Sequence, residues 1–190
     1  DNFSIDSLLK AKKANEDGSF RKEIVNVSIL TKKGTTVIDK DEQPYKANIE
    51  KIPDLKPAFR KNGTVTAGNS SQLSDGSSVT LVMSEKKAEQ LGLEPLAYFR
   101  GFSVVGCEPD EMCIGPIYAI PKLLESAGLS QDDVDLWELN EAFASQVVYI
   151  RDHLGLPSDI LNVNGGSIAI GHPFGMTGSR LVGCLTRELI

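Results

Sequence analysis

From Ser78 onward the chain alternates short β-branched runs with amphipathic stretches, and this alternation limits its architecture more than any other feature. Ser78–Met83, Tyr98–Gly106 and Val134–Leu139 have the length and apolar content of strands. Helical patterns lie between and after them. Ser84 suits the N-cap of a short helix over Glu85–Leu91, which Gly92 closes. Ile117, Ile120 and Leu124 mark a second helix ending at Gly128, with Pro121 as a kink. Phe143, Val147, Ile150 and Leu154 form a helical stripe that Gly155 and Pro157 stop. A last helix runs from about Gly175 to the end, with Leu181, Cys184, Leu185 and Leu189 inward. Strands and helices in alternation predict an α/β layer architecture.

Upstream the pattern is less regular. Asn2–Asn15 reads as a helix with Ile5, Leu8 and Leu9 on one face and Gly18 beyond its end. Glu23–Leu30 alternates as a strand. Residues 31–62 are rich in Lys and Asp and carry Pro44, Pro53 and Pro57, so they read as an irregular excursion. At Gly63 the composition turns to Gly, Ser and β-branched residues, which divides the chain into segments 1–62 and 63–190. Charge divides there too. Residues 1–62 carry thirteen Lys and Arg against ten Asp and Glu, a net +3; residues 63–190 carry seven against sixteen, a net −9. Two solvated faces would produce this split, and so would a basic first segment that meets an anionic ligand beside an acidic catalytic body.

Composition excludes several classes. With 41% hydrophobic residues the chain can bury a core, and its net charge of −6 is wrong for a general nucleic-acid binder. It has no apolar run of about 18 residues, the length of a membrane-spanning helix. Cys107, Cys113 and Cys184 have no CxxC spacing, and two histidines do not make a zinc site. This cysteine usage fits a reducing compartment, the cytoplasm or an organelle matrix, without choosing between them. The start at Asp1 without Met and the end inside a helical pattern at Arg187–Ile190 suggest a piece of a longer protein.

Three segments carry groups with chemical potential. Asn162–Gly178 holds five glycines in 17 residues, and its His172 sits between Gly171 and Pro173 just before a helix. An imidazole there, with a pKa near neutrality, can take a proton from a thiol, and a helix N-terminus favours a thiolate or oxyanion. A structural histidine in a glycine-rich turn is the alternative. In Asn140-Glu141-Ala142-Phe143, Asn140 stands where a strand runs into a helix. It either caps that helix or orients a water or carbonyl oxygen. In Gly63–Gly76 small residues dominate, so a ligand could lie along the backbone; it lacks the Lys of a phosphate-binding P-loop.

Together and in this order, these segments resemble the thiolase family, whose members cleave or form 3-ketoacyl-CoA by Claisen chemistry. The resemblance rests on NEAF at Asn140–Phe143 and on GHP at Gly171–Pro173 within an NxxGGxIAxGHP stretch. TAGN at Thr66–Asn69 and Met112-x-Ile-Gly-Pro116 add to it. It covers nearly the whole chain and implies a layered αβαβα thiolase fold, mostly its C-terminal half. Segment 1–62 would be the end of the loop domain and 63–190 the C-terminal domain without its last strand. The implied activity is acyl transfer: thiolytic cleavage of 3-ketoacyl-CoA to acetyl-CoA and a shortened acyl-CoA, or the reverse condensation. Coenzyme A would be a substrate, with no metal or redox cofactor.

By the same resemblance, His172 activates a nucleophilic cysteine and Asn140 holds a water that completes an oxyanion site. Ser71 and Ala67 would touch the pantetheine arm, and Phe59, Leu73, Met112, Ala142 and Phe143 would line the tunnel. Lys56, Arg60 and Lys61 would lie nearer the CoA phosphates. The family's nucleophilic cysteine belongs to an N-terminal domain, and its second catalytic cysteine to a CxGG motif; neither motif occurs in this sequence. Cys113 stands where the family usually has Gly. The resemblance therefore implies a fragment inactive alone, paired with an N-terminal half and assembled as a dimer or tetramer when complete. A non-catalytic CoA-binding partner of a separate N-terminal half, and a structural α/β domain without CoA affinity, are the alternatives.

Overall fold

A computed structural model describes residues 1–190. Its first element, α1 (Asn2–Asp17), ends at Gly18, whose φ of 89° is the left-handed conformation a helix C-cap demands. The face it buries is made of Ser4, Ser7, Leu8, Ala11 and Ala14. Most of these are small, so the helix backbone can lie close to its neighbours. Leu9, expected on that face, is half exposed instead.

An antiparallel hairpin follows, β1 (Val27–Thr31) and β2 (Gly34–Ile38), with Val27 opposite Ile38 and Thr31 opposite Gly34. Residues 31–62 are thus not wholly irregular. They hold β2, a short helix α2 (Gln43–Lys46) and a 3₁₀ turn Ile49–Asp54. The hairpin is almost wholly exposed on both faces, so no apolar alternation marks β2 in the sequence.

The helices after Gly63 follow the punctuation of the sequence. These are α3 (Glu85–Leu91), α4 (Pro116–Ala127) and α5 (Ala144–Leu154), ended by Gly92, Gly128 and Gly155 in left-handed conformation. Ser84 caps α3 by accepting from the Lys87 N–H. A single short turn, α6 (Ser167–Ile170), and a longer helix, α7 (Phe174–Glu188), complete the chain. In α7, Thr177 is the buried residue and Leu189 is exposed just past the end. No helix is long and apolar enough to cross a membrane.

Two apolar clusters hold these elements. Leu8 and Ala11 of α1 pack with Ile52 and with Ala169 of α6. Ile117 of α4 and Ile150 of α5 pack with Leu156 over Trp137 and Leu139. Burying a side chain such as Ile150 contributes about 1.5–3 kcal/mol. Segment 137–139 runs parallel to 160–162: the Trp137 N–H donates to Ile160 at 2.9 Å and the Asn162 N–H returns to Trp137 at 2.9 Å. With α5 between them, these segments form a minimal strand–helix–strand crossover.

The three expected strands do not form ladders. Ser78–Met83 and Tyr98–Gly106 pair with nothing in the chain, and Val134–Leu139 is reduced to that single parallel bridge. The reason is a lack of partners: a strand exists only by hydrogen bonding to another. The side chains that would line the inner faces of these strands are left in water. Val79 is 94% exposed, Leu81 and Val82 77%, and Phe99 75%. The accessible surface totals 13171 Å², against roughly 9,000 Å² for a compact monomer of this mass. The chain therefore presents far more apolar surface than a self-sufficient domain tolerates.

This surface has a measurable consequence. The 190-residue chain alone is expected to bind a hydrophobic dye and to elute as associated species in size-exclusion chromatography with light scattering. A monodisperse monomer that leaves the dye dark would contradict the exposure of segments 78–83 and 98–106.

Candidate active site

The three motif segments are sewn together by backbone hydrogen bonds around residues 69–72. On one side, the Ser71 N–H donates to the Ala142 carbonyl at 3.0 Å, and the Ala144 N–H donates to the Asn69 carbonyl at 2.9 Å. On the other, the His172 N–H donates to the Gln72 carbonyl at 3.3 Å. Residues 66–69 form a closed turn that keeps this bridge in shape. The Asn69 side chain accepts from the Thr66 N–H at 2.8 Å and donates to the Thr64 carbonyl at 2.9 Å.

His172 occupies the turn between α6 and α7. Gly171 makes the turn possible: its φ is 102°, and a Cβ there would overlap the Ser74 hydroxyl. Asn140 does not cap α5, whose N-cap is Phe143 without a side-chain bond. Its amide points instead at the imidazole, with Nδ2 3.1 Å from His172 Nε2.

The surrounding bonds define which atom holds each proton. Thr177 Oγ1 donates to the Pro173 carbonyl at 2.9 Å, which uses its only hydrogen. It must therefore accept from His172 Nδ1, 2.6 Å away. A neutral His172 then bears its proton on Nδ1 and its lone pair on Nε2, facing Asn140. Ser167 Oγ donates to Asn140 Oδ1 at 2.6 Å and accepts from Arg180 Nη2 at 3.0 Å. Burial first, and the Arg180 charge second, hold the His172 pKa below its ordinary value. The neutral base is the favoured form.

Beneath this lies a buried carboxylate that the motif reading left without a role. Glu141 accepts from Ser7 Oγ at 2.7 Å, Asn162 Nδ2 at 2.9 Å and the Ile168 N–H at 3.1 Å. Burial pushes its pKa up, and these three donors oppose the rise. Ser7 Oγ in turn accepts from the Gly166 N–H at 3.0 Å. A Cβ at Gly166 would collide with the Glu141 carboxyl, so Gly is required there. Asn162 also donates to the Leu139 carbonyl at 2.9 Å and accepts from the Leu139 N–H at 2.8 Å. Glu141 thus ties α1, the segment before Asn140 and the loop before His172.

Glu138 and Arg180 form a second buried pair, 3.6 Å apart. Desolvation outweighs the arginine and pushes the Glu138 carboxyl up to about 7. Cys184 lies against Arg180 Nη1 at 4.0 Å, and burial, with Glu138 adding to it, pushes its thiol up. It is a packed, protonated thiol. Ser7, Glu138, Asn162, Ser167 and Arg180 were not legible as site residues, because each acts through partners distant in the chain; Thr177 meets His172 and Pro173 within five residues, and its signal was local.

The remaining candidates spread outward. Phe59 and Phe143 meet edge to face, with centroids 6.1 Å apart, and Ser71 and Ala142 are joined by backbone. Ala67 is exposed on the closed turn 66–69. Leu73 is wholly exposed and borders a cavity of about 230 Å³ with Glu42, Lys46 and Ser74. Met112 is exposed on a 3₁₀ turn, Pro109–Ile114, that packs on α4 and α5. Lys56, Arg60 and Lys61 surround Phe59 on a second cavity of about 410 Å³.

Chemically, the arrangement offers an imidazole base at Nε2 and, once Nε2 is protonated, two N–H donors side by side. Such a pair can take one oxygen between them.

Comparison with known proteins finds two family models along the chain. The thiolase N-terminal domain matches residues 1–86 and the thiolase C-terminal domain residues 93–190. The acetyl-CoA acetyltransferase of Chromobacterium violaceum is 47% identical over all of the chain and 49% of its own length. The peroxisomal 3-ketoacyl-CoA thiolase A of Mus musculus is 47% identical over all of the chain and 46% of its own length. The crystal structure of the Bacillus anthracis acetyl-CoA acetyltransferase superposes with a TM-score of 0.92 at 46% identity, covering 99% of the chain and 48% of that structure. The chain shares the α/β fold of that protein and spans about half the length of the curated relatives it matches.

The buried Glu138 makes stability depend on pH in a stated direction. Its folded pKa is raised, so its contribution is full below the ordinary value of 4.5 and is lost as pH rises through about 7. In the full-length protein containing this chain, Glu138→Gln is expected to flatten the fall in Tm across that window. An unchanged slope in thermal melts would contradict the burial of this carboxyl.

Proposed function

The chain belongs to the thiolase family, and from that membership we propose that it is the acid–base half of an acyltransferase acting on 3-ketoacyl-CoA. One observation carries the reading: His172 Nε2 and Asn140 Nδ2 converge at 3.1 Å, with the proton of His172 held on Nδ1.

In this mechanism, Nε2 removes the proton of a cysteine thiol supplied by polypeptide outside residues 1–190. The thiolate attacks the 3-keto carbon, the bond between the second and third carbons breaks, and acetyl-CoA leaves as its enolate, which takes a proton from an acid also supplied by polypeptide outside residues 1–190. The remaining acyl group is a thioester on the cysteine, and a second CoA thiol takes it as the shortened acyl-CoA. The charge that develops on the thioester oxygen is met by the Nε2–H and by Asn140, directly or through a water that its amide holds. Asn140 is a donor already in place, and Nε2 becomes the second when it takes the thiol proton.

The same reading gives the outer residues their parts. Phe59, Phe143, Ala142, Leu73 and Met112 would border the acyl tunnel, and Ser71 and Ala67 the pantetheine arm. The cluster of Lys56, Arg60 and Lys61 suits the phosphates of CoA. On this reading none of Cys107, Cys113 and Cys184 is one of the family's reactive cysteines, and polypeptide outside residues 1–190 would complete the site.

Thiolysis of acetoacetyl-CoA by CoA tests this. In the full-length protein, His172→Ala should lower kcat by roughly 10²–10⁴-fold, and Asn140→Ala by about 10²–10³-fold. The 190-residue chain alone should show no turnover. A rate in the isolated chain that His172→Ala abolishes would overturn the need for a second half. CoA binding without turnover after an N-terminal half is supplied would favour a non-catalytic partner.

A further inference from the structure

The hydrogen bonds around Asn140 raise a question that membership in a family does not answer: what keeps its amide from turning over. A primary amide has one acceptor and one donor end of nearly equal size. Flipped by half a turn, Asn140 would aim Oδ1 at the lone pair of His172 Nε2. The oxyanion site would then lose a donor, and the imidazole would be driven toward the other tautomer.

Ser167 is the group that decides between these orientations. Its hydroxyl carries a single hydrogen, and that hydrogen reaches Asn140 Oδ1 at 2.6 Å. The direction of the hydroxyl is itself set by Arg180. A guanidinium only donates, and Arg180 Nη2 lies 3.0 Å from Ser167 Oγ. The serine must accept there and send its hydrogen onward. Arg180 is held in turn by Glu138, 3.6 Å from Nη1, and both side chains are almost fully buried. A donor-only group therefore stands at one end of the chain and the Pro173 carbonyl, a pure acceptor, at the other. Every hydrogen between them points the same way.

We propose that Arg180, acting through Ser167, is a positioning residue that locks the Asn140 amide with its N–H toward His172 and so, together with Thr177 at the other ring nitrogen, holds the imidazole in the Nδ1–H tautomer. The assignment rests on the thiolase reading for its consequence in turnover, but the lock itself is a property of ground-state hydrogen bonding.

The test uses the full-length protein, labelled with nitrogen-15 at histidine, with and without Ser167→Ala, Ser167→Thr and Arg180→Gln. The ring-nitrogen shifts of the parent should report Nδ1 protonated and Nε2 as acceptor. Ser167→Ala, a small change at a packed site, should produce a mixture of tautomers. It should also lower kcat by roughly threefold to tenfold, the value of one hydrogen bond, at unchanged KM for CoA. Arg180→Gln should act in the same direction. Ser167→Thr restores the hydroxyl and should restore both readouts. A single Nδ1–H tautomer and parental kcat in both Ser167→Ala and Arg180→Gln would overturn the proposal, and Ser167→Ala alone decides if the arginine variant does not fold. A parent protein without thiolysis would refute the thiolase reading instead, and the nitrogen shifts would still decide the lock.

Discussion

The arrangement of the site depends on one buried carboxylate, Glu141. It has no exposed surface and receives three donors from three parts of the chain: α1, the loop before Gly165 and the start of α6. An isolated charge at this depth would cost several kcal/mol. With both oxygens engaged by N–H and O–H groups, it becomes instead a point to which each segment must register. The residue before it is Asn140, and the loop it grips leads to His172. A displacement of Glu141 would therefore shift both chemical groups, although its carboxyl hydrogen-bonds to neither of them.

On this base the polar groups form an ordered series. Arg180, Ser167, Asn140, His172, Thr177 and the Pro173 carbonyl are linked at 2.6–3.1 Å. Because the first only donates and the last only accepts, the series has one direction. That direction leaves the lone pair on Nε2 beside an N–H donor. A proton acceptor that becomes a donor after the transfer is what a reaction passing through an oxyanion requires. Burial adds to this by favouring the uncharged imidazole.

The outer part of the chain shows the opposite economy. The hairpin and segments 78–83 and 98–106 bury little, and large apolar side chains face water. Relatives are about twice as long as this chain, which fits surface made to be covered by further polypeptide. Strand-forming potential is a local property, whereas a ladder is made between segments. Val79, Leu81 and Val82 mark a strand in the sequence and still find no partner among these residues.

What the sequence determined by itself was whatever depends on near neighbours. Gly18, Gly92, Gly128 and Gly155 end helices because left-handed backbone is cheap only for glycine, and Ser84 begins one because its hydroxyl reaches three residues ahead. His172 and Asn140 stood out because their residue types suit proton transfer and oxygen binding and their flanks were diagnostic. Only the tertiary structure decided the rest. It brought Nδ2 to Nε2 across 32 positions, aimed the Asn140 amide at the imidazole rather than at the end of α5, and gave Ser7, Ser167 and Arg180 their hydrogen-bond partners. It also left Met112 and Leu73 exposed. The physical reason is that hydrogen bonds and burial are pairwise: a residue's chemistry is set by atoms that sequence order alone does not bring near it.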